Sequence, residues 1–87
     1  MISDDNLVRN TLNHAKDALR DGDRLSARRH AQKTLALDPE NEDAWLILAA
    51  VASPEASLVY IKRALEINPN SARARQGMHW AIQRYRT

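Results

Sequence analysis

Residues able to do chemistry are few in this 87-residue chain and are scattered along it. His14, His30 and His79 could ligate a transition metal or carry a proton, but none has a second histidine at the spacing that puts two imidazoles on one helix face. Asp17, Asp21 and Asp23 have the composition of a calcium loop without its full ligand pattern or its terminal glutamate. Ser53 has no base beside it and precedes Pro54 and Glu55, which is the pattern of a helix cap and not of a nucleophile. With only two glycines there is no Gly-rich phosphate cradle, and with no cysteine there is neither a disulfide nor a thiolate metal site. The expectation is a protein that catalyses nothing and holds no metal or cofactor.

The elements that position these residues are helices. Hydrophobic residues make up 44% of the chain, mostly alanine and leucine with no phenylalanine, so helix propensity is high and sheet is disfavoured. From Asn6 to Arg20 the residues Leu7, Val8, Thr11, Leu12, Ala15, Ala18 and Leu19 recur at three-and-four spacing, and Gly22 stops that helix. A second helix from about Arg24 to Leu37 turns Leu25, Ala27, Ala31, Thr34, Leu35 and Leu37 to a partner and ends before Pro39. A third, from about Glu42 to Ala52, has a stripe of Ala44, Trp45, Leu48, Ala49 and Ala52. A fourth opens at the Ser53 cap and runs to Ile67 with Leu58, Ile61, Ala64 and Leu65 inward, closed by Asn68 and Pro69. Ser71 caps a fifth that reaches about Tyr85, striped by Ala74, Met78, Ala81, Ile82 and Tyr85. Connections this short force an all-α chain of antiparallel hairpins, in one domain spanning residues 1–87.

The hairpins repeat. Lys33 to Asn41, reading KTLALDPEN, aligns with Arg63 to Ser71, reading RALEINPNS, 30 residues later. This pattern resembles the tetratricopeptide repeat family, whose unit of about 34 residues ends in Ala-Leu-x-Leu-Asp-Pro. A first unit of residues 8–41 carries Gly22 and Asp23 at the turn, Ala15 and Ala27 as small packing residues, and the ending from Thr34 to Pro39, with Thr34 where alanine is usual. A second unit of residues 42–71 matches through Trp45, Leu48 and Ala49 and through Ala64, Leu65 and Pro69, but is shorter at its tip. Residues 72–86 then resemble a closing helix. The resemblance implies a short right-handed superhelix whose inner face receives a peptide or helix of a partner.

Carried over position by position, that inner face takes Arg9, Leu12, Lys16, Leu19 and Arg20 from the first helix. The third helix adds Asp43, Leu46, Ile47 and Ala50, and the fifth adds Arg73, Gln76, Gly77, Trp80 and, more loosely, Arg84. Apolar residues in the middle with bases at the edges lead to the expectation of a peptide with apolar anchors and acidic flanks. The carboxylate-gripping pattern of some family members is not met, because Leu12, Lys16 and Ile47 stand at its positions. Trp45 is expected in the core, whereas Trp80 is expected either against the fourth helix or exposed at the inner face or a subunit contact.

Charge separates the two halves. Residues 1–43 hold nine acids and seven bases, residues 44–87 two acids and six bases, and Arg73, Arg75, Arg84 and Arg86 all follow the last acid, Glu66. A homodimer through the terminal helices is one alternative function. Nucleic-acid binding through the basic fifth helix is another, disfavoured because these arginines form no continuous stripe. No apolar run is long enough for a membrane span, and Met1 to Asp5 show no basic leader, so the expected setting is cytoplasmic or the cytoplasm-facing part of a larger protein.

Overall fold

The computed structural model describes residues 4–87, and Met1 to Ser3, part of the stretch read for a leader, lie outside the described residues. Five helices follow in order: α1 (Asp4–Arg20), α2 (Arg24–Leu37), α3 (Glu42–Val51), α4 (Pro54–Ile67) and α5 (Ala72–Arg86). Each packs on the next, and α1 also touches α3, so the chain is an all-α stack of antiparallel hairpins. None of the helices is long and apolar enough to cross a membrane.

Local chemistry sets each boundary. The side chains of Asp23, Asn41, Ser53 and Ser71 accept from the backbone N–H three residues on, at Ser26, Ala44, Ala56 and Ala74, and so start α2, α3, α4 and α5. Gly22 takes a φ of 80° between α1 and α2, in the left-handed region where glycine alone is unstrained. Helix α3 ends one residue earlier than expected, with Ala52 as its C-cap.

One turn is built twice. After α2, the Asp38 N–H donates to Thr34 O at 2.8 Å and the Asn41 N–H to Asp38 O at 3.1 Å. After α4, the Asn68 N–H donates to Ala64 O at 2.9 Å and the Ser71 N–H to Asn68 O at 3.1 Å. Side chains 30 positions apart also satisfy equivalent carbonyls, since Trp45 Nε1 donates to Pro39 O at 2.9 Å and Arg75 Nη2 donates to Pro69 O at 3.2 Å. Pro39, Pro69 and Gly22, expected with the structural core, are exposed turn residues, and their contribution is to the backbone path.

The interior is mostly alanine, which lets helix axes approach closely. Ala15, Ala27, Ala31, Ile47, Leu48 and Val51 form one cluster, with Trp45 and Tyr60 packed against it. Ala49, Ile61 and Ala81 form a second, flanked by Leu46, Leu58, Leu65 and Met78. Ala64 is fully buried, and Leu65 is half-buried. Several stripe residues expected inside are exposed: Leu7, Leu19, Leu37, Leu25 at 65% and Tyr85 at 57%. They sit on the first and last helices or near helix ends, where no neighbour covers that side.

Candidate functional site

The odd-numbered helices share a groove of about 570 Å3. Helix α3 supplies its floor through Leu46, Ile47, Ala49 and Ala50. One wall is α1, through Lys16 and Leu19, and the other is α5, through Arg73, Gly77 and Trp80. Between α3 and α5 the floor is completed by Ile61 from α4. Ile61 is itself 1% exposed, and a Cβ on Gly77 would stand 3.4 Å from Ile61 Cδ1, so the missing side chain lets α5 lie close over it at the base of the groove. Gly77 has no positive φ, and its backbone conformation is one that any residue adopts. Trp80 keeps 44% of its surface exposed and gives the α5 wall its large apolar side chain.

The expected inner-face residues divide. Lys16, Leu19, Asp43, Leu46, Ile47, Ala50, Arg73, Gly77 and Trp80 come together on the groove. Ile47, expected as contact area, is only 5% exposed and belongs to the first core cluster, so it is floor and not anchor. Arg9, Leu12, Arg20 and Gln76 are not on the groove. Leu12 packs against the first core cluster, and Arg20 turns back on its own helix end to pair with Asp17 at 3.0 Å and Asp21 at 3.8 Å. Arg84 is also off the lining: its guanidinium donates to Ala52 O and Ser57 Oγ, each at 3.3 Å, where the end of α3 offers unpaired carbonyls. From there it lies 4.5 Å from the centroid of the Trp80 ring and holds the indole by a cation–π contact. Sequence reasoning missed Ala49 and Ile61 as lining residues. Ile61 sits on an outer helix, and the one signal for it was the glycine on the helix facing it.

The electrostatics differ from the expected pair of basic edges. Asp43, in the first turn of α3, accepts from Lys16 Nζ at 3.2 Å on the α1 side and from Arg73 Nη2 on the α5 side. One carboxylate thus bridges the groove and takes up both cations. Its neighbour Glu42 lies 3.7 Å from Arg73 and accepts from Ser71 Oγ at 2.7 Å and Asn68 Nδ2 at 2.9 Å. The Ser71 hydroxyl, then Asn68 and Arg73, hold the Glu42 carboxyl below its ordinary pKa against an opposing desolvation.

His14 and His30, distant in sequence, lie across the α1–α2 hairpin with ring centroids 5.2 Å apart. Among the described residues no group of three or more histidine, aspartate or glutamate side chains could hold a metal ion. No protein-family model matches the chain, and no curated protein matches it in sequence.

Proposed function

We propose that the protein is a short tetratricopeptide-like module, with units at residues 8–41 and 42–71 and a closing helix at 72–86, that binds an apolar segment of a partner protein in the groove. The observation that carries this reading is the groove itself: an apolar trough of about 570 Å3, floored by Leu46, Ala50 and Ile61 and overlooked by the exposed Trp80. Exposed apolar surface shaped into a concavity is what a docking face requires. The twice-built turn supports the repeat assignment, since it returns α3 and α5 to the same face as α1. Nothing in the reading requires a reaction.

The test is an amide NMR titration with amphipathic peptides that place leucines on one helical face. The expected result is a set of shifts confined to Leu19, Leu46, Ala50, Gly77 and Trp80, abolished by Ala50→Arg. Shifts clustered on α2 and α4, or none with any peptide, overturn the reading. Concentration-dependent shifts at Trp80 and Tyr85 in the free chain would instead support pairing of two copies through α5, whose exposed aromatics favour that second reading.

A further inference from the structure

The docking reading leaves the chemistry of the docked segment open, and the charges on the groove decide it. Three charged residues line it, Lys16, Asp43 and Arg73. Asp43 lies between the two cations and pairs with both, while Glu42, one residue before it, also faces Arg73. A ligand carboxylate approaching Lys16 or Arg73 therefore meets a like charge already held beside it by the fold, at the start of a helix whose dipole favours that charge. The positive charge it would pair with is already offset by Asp43 and Glu42, and the ligand carboxylate loses hydration. An uncharged aliphatic segment meets no such competition. Leu46, Ala50 and Trp80 give it apolar area, and Gly77 presents no side chain to obstruct it.

We infer that Asp43 is the specificity-determining residue of the groove: by occupying Lys16 and Arg73 it selects an uncharged aliphatic partner segment and excludes an acidic one. The inference rests on the docking reading and reverses the acidic-flank expectation drawn from the same residues in sequence. Removing the carboxylate frees Lys16 and leaves Arg73 with Glu42 alone, and specificity then shifts toward acidic segments.

The probe is a random-peptide phage library selected in parallel on the wild-type chain, on Asp43→Asn and on Asp43→Asn combined with Lys16→Gln and Arg73→Gln. Thermal melts are run on each protein, and Asp43→Ser serves as a second carboxylate-free variant. Wild-type selection is expected to yield leucine-, isoleucine- and methionine-rich peptides without excess acid. Asp43→Asn is expected to enrich aspartate and glutamate, with acidic members of matched peptide pairs gaining roughly fivefold to tenfold in affinity over their amide twins. The triple variant is expected to return to neutral peptides. Equal acid enrichment on the wild type, or no change on Asp43→Asn and Asp43→Ser, overturns the role of Asp43 and leaves the docking reading standing. No enrichment on any of the proteins, or enrichment unaffected by Ala50→Arg, overturns the docking reading and this inference with it.

Discussion

Thr34 stands where the resembled pattern places alanine, and the structure shows what its hydroxyl does. It is fully buried, and its Oγ1 donates to Thr11 Oγ1 at 2.8 Å, with His30 O also in reach at 2.9 Å. Thr11 in turn donates to Val8 O at 3.0 Å, so a short chain of hydroxyls ties α2 to α1 inside the first hairpin. Buried hydroxyls are costly when unpaired and useful when paired. Replacing Thr34 by alanine removes the link and leaves a small cavity, and is expected to destabilise by roughly 1–2 kcal/mol in urea unfolding. Thr34→Val keeps the volume and leaves Thr11 its bond to Val8 O, and is expected to cost less than about 1 kcal/mol. Equal losses in the two variants would show that the hydroxyl chain, and not volume, is what matters there.

At the scale of the helix and the turn, the two glycines have opposite reasons to be glycine. Gly22 has open space around it but a φ of 80°, so Gly22→Ala is expected to destabilise by about 1–2 kcal/mol although nothing clashes. Gly77 has an ordinary helical backbone and Ile61 within reach, so Gly77→Ala is expected to raise stability by about 0.5–1 kcal/mol. The same methyl adds a group to the groove lining beside Ile61, which makes Gly77→Ala a useful separator of stability from binding. Thermal melts of both variants check the signs. Helix α5 shows a related division of labour, since Ala74 and Ala81 are buried while Trp80 and Tyr85 remain outside.

For the molecule as a whole, acid sensitivity follows from how α3 is fastened to the turn between α4 and α5. The Glu42 carboxylate is bonded to Ser71, Asn68 and Arg73, and its folded pKa lies below the ordinary 4.5. A depressed carboxyl contributes stability that is complete above its unfolded pKa and is lost as pH falls from there through the folded value. Urea midpoints are therefore expected to hold down to about pH 5 and to drop below it. Glu42→Gln should lower the plateau and make the acid decline shallower. Some decline remains in that variant, because Asp23, bonded to Ser26 at the start of α2, has its pKa lowered as well. An acid decline unchanged by Glu42→Gln would remove Glu42 from this role.

The five helices, their order and the Ser53 and Ser71 caps could be read from the chain because each is decided within a few residues: the apolar period, a serine three places before an unpaired N–H, a proline after the last turn. The repeated turn was legible for the same reason, being made by backbone and neighbouring side chains over the same short span. Pairings between helices were not. Arg73 looked like a free basic edge in sequence, and only the stacking of α1, α3 and α5 brings it and Lys16 to one carboxylate. Arg84 looked like part of the same face, but the end of α3 offers its carbonyl oxygen and draws the guanidinium away. Ile47 and Leu46 are adjacent and equally apolar, and only the packing decides that Ile47 joins the cluster with Ala15 and Ala27 while Leu46 packs beside Ala49 and Ile61. Short-range hydrogen bonding and periodicity determined the elements of this protein, whereas the charge and depth of its groove depend on which distant side chains the packing makes neighbours.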